Sequence, residues 1–189
     1  MDILVTRHGQ TDWNVLGKLQ GKTDIELNNT GRMQAEEVGK SIQNERIDLI
    51  ITSPLKRAKE TAQIINKSLN VPIIEDERII ERGFGDYEGV TLVDFDKQKV
   101  LYPQCNELWN YPLNVEINNV ETMHDFFARV YNFFDEITEK YNDKRILVVA
   151  HGGTSVPIKC YFNKIQLNEF TNKKLLGNFS NCQVLKFNV

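Results

Sequence analysis

The sequence predicts an α/β sandwich with crossover connections, and two observations carry that prediction. Short apolar runs alternate with stretches of helical periodicity through the first half of the chain. One run, Ile3-Leu4-Val5-Thr6, ends abruptly in Arg7-His8-Gly9. The pattern returns at Ile146-Leu147-Val148-Val149-Ala150, followed by His151-Gly152-Gly153. Each run reads as a short strand buried on both faces, as in a parallel sheet, that delivers a histidine where it ends. Two of the three histidines in the chain stand at these strand ends.

Residues 2–6 form the first predicted strand. Residues 9–27 carry polar and glycine punctuation and read as a loop, with one helical turn near residues 12–16. Asn28 is a good N-cap, because its side-chain oxygen can accept from a free N–H of a first helical turn. A helix follows to about Asn44, with Met33, Val38 and Ile42 assigned to its inner face and Ala35 and Gly39 permitting close packing. Residues 48–52 are the second strand. Ser53 and Pro54 read as N-cap and first helical position of a helix whose core stripe is Leu55, Ala58, Ala62, Ile65 and Leu69. Residues 71–74 are the third strand.

Residues 81–90 form a glycine-rich loop, and a short helix is expected after it through Tyr102. Residues 103–121 lack periodicity. Such a stretch reads as a lid or substrate loop, or equally as a surface loop with its aromatics tucked onto the core. Residues 122–141 hold the clearest amphipathic pattern: Met123, Phe126, Phe127, Val130, Phe133, Phe134, Ile137 and Tyr141, a stripe for the core. The strand 145–150, a helix from Gly152 to about Phe162 and a closing strand or hairpin within 179–187 complete the expected order.

At 189 residues the chain fits one domain, residues 1–189, with room for a sizeable core. A 41% hydrophobic and 26% charged composition is that of a soluble globular protein. With a net charge of −3 and no long basic run, no nucleic-acid partner is expected. No stretch is long and apolar enough to span a bilayer, so no membrane partner is expected either. The N-terminus lacks the basic segment and apolar core of a signal peptide. Cys105, Cys160 and Cys182 are odd in number and widely spaced. They read as reduced thiols, which together with the N-terminus points to a cytoplasmic location.

In an open α/β sheet, ligands bind beyond the carboxyl ends of the strands. His8 and His151 follow two such ends, with Arg7 beside the first. Arg57 lies in the first turn after the second strand, and Glu81 follows the third. This set suits phosphoryl transfer. Two guanidiniums can hold a phosphate by bidentate hydrogen bonds. A neutral imidazole can attack phosphorus, and a second, charged imidazole can stabilise the equatorial oxygens. A carboxyl can protonate the leaving alkoxide and then take a proton from water. Gly9 and Gly152 are expected to let the backbone approach the ligand, with the helix after Gly152 pointing its N-terminus there. The arginines and His151 supply the positive charge, so no metal and no cofactor is expected. Taken singly, each residue has a plainer reading: His8 as a structural histidine, Arg57 as a helix-surface charge. Their joint placement at strand ends carries the case.

These residues sit in an ordered series that resembles the histidine phosphatase superfamily, the phosphoglycerate-mutase-like proteins. The series runs Thr6-Arg7-His8-Gly9-Gln10-Thr11-Asp12-Trp13-Asn14, then Leu19-Gln20-Gly21, Ser53-Pro54-Leu55-Lys56-Arg57-Ala58 and Thr61-Ala62. It continues with Glu81, Phe84-Gly85-Asp86-Tyr87-Glu88-Gly89 and Ala150-His151-Gly152-Gly153. The resemblance implies a three-layer α/β/α sandwich with a mostly parallel sheet of about six strands. It implies His8 as the nucleophile that becomes phosphorylated and Glu81 as the proton donor. Arg7, Arg57 and His151 complete the implied phosphate pocket, with Asn14, Gln20, Gly21 and Gly152 as further phosphate-binding positions. Two departures stand out. Thr154-Ser155-Val156-Pro157 replaces a run in which many phosphatase relatives carry an arginine, and Tyr87 stands where relatives often have tryptophan.

Within the family the short chain and Leu19-Gln20-Gly21 favour the phosphatase branch, acting on a small phosphomonoester. Chain size and the 81–89 loop are also similar to the α-ribazole phosphatases, which makes an α-ribazole-phosphate-like substrate one expectation. A cofactor-dependent phosphoglycerate mutase is the alternative, and a non-catalytic phospho-ligand binding protein a more distant one. The sequence leaves room for a homodimer.

Overall fold

A computed structural model describes residues 2–91, 94, 119–165 and 179–188. Five strands form one sheet among the described residues: β1 (Asp2–Arg7), β2 (Leu49–Thr52), β3 (Ile73–Glu75), β4 (Arg145–Ala150) and β5 (Val184–Asn188), in the order β3-β2-β4-β1-β5. Four run parallel and β5 pairs antiparallel with β1. Helices α1 (Asp12–Val15), α2 (Asn29–Ser41), α3 (Lys56–Leu69), α4 (Met123–Lys140) and α5 (Ser155–Phe162) connect them. The short helix expected through Tyr102, the irregular stretch up to residue 118 and Cys105 lie outside the described residues.

The predicted three layers are present because the two central strands have no polar face. Side chains alternate across a strand. In β4, Ile146 and Val148 point into one apolar cluster with α4 and α5, while Leu147 and Val149 point into another with α2 and α3. β1 divides the same way, with Ile3 and Val5 on the first side and Leu4 on the second. The edge strand β3 has no such demand, and Ile74 is exposed. Among the described residues no helix is long and apolar enough to cross a membrane. Burial pushes the free thiols of Cys160 and Cys182 up, to about 11 and about 12, so both stay protonated at neutral pH.

The stripe of α4 is the core's largest contribution. Met123, Phe126, Phe127, Val130, Phe133, Phe134 and Ile137 are all buried. Thr122 caps the helix by accepting from Asp125 N. Phe134 packs edge-on against Phe133 and Phe162, at centroid distances of 4.9 and 5.0 Å. Phe134→Ala is expected to cost about 3–5 kcal/mol, read as a fall in urea midpoint at unchanged m-value.

Two helix assignments need correction. Asn28 caps α2 as expected, accepting from Gly31 N. Met33, however, is exposed, and the inner face is Gly31, Ala35, Val38 and Ile42. At 100° per residue Met33 lies about half a turn from Ala35, so it cannot share that face. In α3 the N-cap is Leu55, not Ser53, and no side chain caps it in the ordinary way. Instead Asp24 reaches across from the preceding loop and accepts from Lys56 N at 2.7 Å. Ser53 keeps only a 3.3 Å contact from Leu55 N, and its hydroxyl has another partner. Ala58, Ala62 and Ile65 are buried as expected, while Leu55 and Leu69 are half-buried.

Candidate active site

The register of the two central strands brings the histidines together. Arg7 of β1 pairs with Ala150 of β4, so His8 and His151 are the next residues on adjacent parallel strands. The pairing extends one step further, with His8 N donating to Ala150 O at 3.0 Å. The rings lie 5.3 Å apart between centroids, tilted by 56°. Arg57 enters from the first turn of α3 and Glu81 from the segment after β3. Arg7, His8, Asn14, Gln20, Gly21, Arg57, Glu81 and Gly152 line one cavity of about 240 Å³. His151 is fully buried beside His8.

His8 has a defined tautomer. Its Nδ1 lies 2.7 Å from Gly9 O. A carbonyl only accepts, so Nδ1 carries the proton and Nε2 keeps its lone pair. Its carbonyl accepts from Asn181 Nδ2 at 2.9 Å, and Gly9 N donates to Thr61 Oγ1 at 3.0 Å. Asn14 Oδ1 accepts from Thr11 N and Thr11 Oγ1, and lies 3.4 Å from the same Asn181 amide. The phosphate role expected for Asn14 therefore starts from an amide whose oxygen is already engaged.

Arg57 is fully buried, and its guanidinium donates to Gly21 O at 2.7 Å and Thr23 O at 2.8 Å. Burial pushes it down to about 10, so it stays charged at neutral pH. It thereby ties the pocket to the loop carrying Gln20 and Gly21. Glu88 braces that loop from behind, accepting from Lys22 N at 2.9 Å and Thr23 N at 2.8 Å. Gly21 has φ +53°, and a Cβ there would collide with the Glu88 carboxylate. Arg7 donates to Phe179 O at 2.9 Å. The Nε of Arg7, the Nε of Arg57 and the Oε1 of Gln20 are buried without a hydrogen-bond partner. The two arginine Nε–H donors are what a polyoxygen ligand would satisfy, whereas the Gln20 oxygen is itself an acceptor and calls for a donor.

The glycines act differently from expectation. A Cβ on Gly9 would strike the backbone of Gly31, so Gly9 serves packing against α2 rather than ligand approach. Gly152 makes room for Arg7, whose Cζ lies 3.1 Å from where a Cβ would sit. Helix α5 begins only at Ser155, and Gly153 N donates to Glu81 Oε2 at 2.8 Å. The backbone donor expected to point at the ligand thus holds the carboxylate. Glu81 Oε1 accepts from Arg82 N at 2.9 Å. In the turn after His151, Thr154 accepts from His151 N and donates to His151 O, both at 2.9 Å.

Arg129 and Asn181 escaped the sequence reading, which gave Ser53 only as an N-cap. Arg129 of α4 donates to Arg78 O, Ile80 O and Glu81 O at 2.7, 2.8 and 3.1 Å and pairs with Glu121. It clamps the segment that presents Glu81. Its helix announced itself only by an apolar stripe, and a single arginine on the flank of that stripe carries no signal of its partners. Among the described residues no cluster of three or more His, Cys, Asp or Glu side chains could hold a metal.

Both imidazoles are held well below the usual histidine range. Burial is the largest cause for each, followed by the charge of Arg57. Burial thus favours the neutral form of His151 in the free protein, while the charged imidazole expected from the sequence is the form that faces a reacting phosphate. A phosphate dianion between the arginines would favour its protonation. The sign for stability follows from linkage. Below about pH 6.5 the unfolded chain binds protons on both side chains that the native state does not. Stability is thus expected to fall as pH drops from about 6.5, by up to about 1.4 kcal/mol per pH unit for each histidine. Urea midpoints measured between pH 7.5 and 5.5 check this, and a flat profile would contradict the burial of the pair.

The family model of the histidine phosphatase superfamily (branch 1) matches residues 3–188. The chain is 42% identical over 150 residues to the "Uncharacterized phosphatase PhoE" of Bacillus subtilis (strain 168), across 79% of this chain and 71% of that protein. It is 30% identical over 169 residues to Phosphoserine phosphatase 1 of Hydrogenobacter thermophilus, across 89% of this chain and 79% of that protein. Among solved structures, a mycobacterial glucosyl-3-phosphoglycerate phosphatase with VO3 superposes at a TM-score of 0.84 and 25% identity, covering 98% of this chain and 90% of that one.

Proposed function

We propose, for a chain that belongs to the histidine phosphatase superfamily (branch 1), a phosphatase that hydrolyses small phosphomonoesters through a phosphohistidine on His8. The observation that carries this reading is the His8 tautomer. With Nδ1–H committed to Gly9 O, Nε2 is a lone-pair nucleophile in a cavity lined by the buried Arg57 and the half-buried Arg7. Arg57 and Arg7 offset the phosphate charge, and their unpartnered Nε–H groups supply donors to its oxygens. Nε2 attacks phosphorus in line as the P–O ester bond breaks, and a protonated Glu81 gives its proton to the leaving oxygen. Water then attacks the phosphohistidine, giving up a proton to Glu81, and inorganic phosphate leaves. His151 and the arginines stabilise the charge on the three equatorial oxygens in both steps. Gln20, Gly21, Asn14 and Gly152 shape the rim, and no step calls on a metal or cofactor.

The test is a substrate panel with single-turnover trapping. p-Nitrophenyl phosphate, phosphoserine, α-ribazole 5′-phosphate and 3-phosphoglycerate would be compared by kcat/KM. Hydrolysis is expected to exceed mutase turnover, with an acid-labile, base-stable phosphoenzyme. Acid-stable label, or interconversion of phosphoglycerates without net hydrolysis, would overturn the reading.

A further inference from the structure

Ser53 follows β2 and is fully buried. Its backbone N–H donates to Val149 O at 3.1 Å, which places it against β4 two residues before His151. Its Oγ lies 2.8 Å from His151 Nε2. A hydroxyl has one hydrogen and two lone pairs. Leu55 N–H takes one lone pair at 3.3 Å, which leaves the hydrogen and the second lone pair for the imidazole.

Thr154 fixes the backbone of His151 on both its N–H and its carbonyl. The ring thus has a fixed root and one engaged nitrogen. Its other nitrogen, Nδ1, is buried and has no hydrogen-bond partner. A neutral imidazole carries one N–H, and a hydroxyl beside Nε2 can match either tautomer, by donating to the lone pair or by accepting from the N–H. An anionic phosphoryl oxygen needs to meet an N–H, because a lone pair there would repel it.

We infer that Ser53 is a positioning residue that holds the proton of His151 on Nδ1, so that Nδ1–H is the donor offered to the phosphoryl group. This rests on the reading that His151 serves the phosphate. While the ring is neutral, the Ser53 hydroxyl donates to Nε2. When the ring is doubly protonated, the same oxygen accepts from Nε2–H. In both states Nδ1–H is retained and only the hydroxyl hydrogen turns. A carbonyl at this position could only accept, and would force the neutral ring into the opposite tautomer.

Nitrogen-15 NMR of histidine-labelled full-length protein, with and without orthovanadate, tests the assignment, with the His151 signals identified by their loss in His151→Gln. The expected wild-type spectrum shows Nδ1 protonated and Nε2 not. Ser53→Ala is expected to shift the ring toward Nε2–H. It should lower kcat about 10-fold or more with KM changed less than about 3-fold. Ser53→Thr, which keeps a hydroxyl, should restore both. A wild-type neutral ring protonated on Nε2 overturns the inference without needing any variant to fold. So does a folded Ser53→Ala protein with a lower Tm but unchanged tautomer and kcat, which would leave Ser53 with only a structural part at the start of α3. Failure of the phosphatase reading is separately visible, as wild-type protein that turns over no phosphomonoester, while the NMR result still decides the tautomer.

Discussion

His8→Ala is expected to abolish turnover, with kcat reduced about 10⁴-fold or more, because the proposed nucleophile is removed. The loss should be in kcat and in the acid-labile label together, with orthovanadate still bound through Arg7 and Arg57. The fold should survive. His8 sits one residue beyond β1, outside the apolar clusters of the core, with its ring held to Gly9 O and set beside His151. Removing a buried neutral imidazole also removes one of the two side chains that destabilise the protein below about pH 6.5, so the acid-side slope should drop by about half. Full activity in His8→Ala would sink the mechanism outright.

Arg57→Lys is expected to be nearly as damaging, at about 10²–10³-fold in kcat/KM. The charge is conserved and the geometry is not. Arg57 holds Gly21 O and Thr23 O with its two terminal nitrogens and still has an unpartnered Nε–H in the cavity. A lysine ammonium offers three donors at one point and cannot span both carbonyls while reaching a phosphate. The loop through Gln20 and Gly21 should loosen as well, so KM is expected to rise along with the fall in kcat. Crystallography or hydrogen exchange over residues 19–23 would show it. A lysine variant with near-normal kcat/KM would mean that Arg57 acts as a bare charge.

Much of this was legible because it depends on local chemistry. Strands buried on both faces must be continuous apolar runs, so β1 and β4 could be read directly, and so could the histidines at their ends. The aromatic stripe of α4 follows from helical period alone, and all seven of its apolar residues from Met123 to Ile137 are buried. Misreadings came where two patterns compete for one residue. Met33 was placed inward for its apolarity, though its angle on α2 points it outward. Ser53 carried the mark of an N-cap, yet Asp24, distant in sequence, serves the start of α3 and releases the hydroxyl.

What the sequence determines by itself is the layer order and the identity of the groups at the strand ends, since periodicity and residue chemistry are properties of short segments. It names His8, His151, Arg7, Arg57 and Glu81 without saying how each is held. Tertiary structure alone decides that His8 exposes Nε2, that Gly153 serves Glu81, that Arg129 clamps the turn before it, and that Ser53 meets His151. Each of these is a hydrogen bond between residues whose separation is set by strand register and loop path. Protonation states are decided there too. The same two imidazoles titrate normally in an unfolded chain, and burial beside Arg57 is what keeps them neutral.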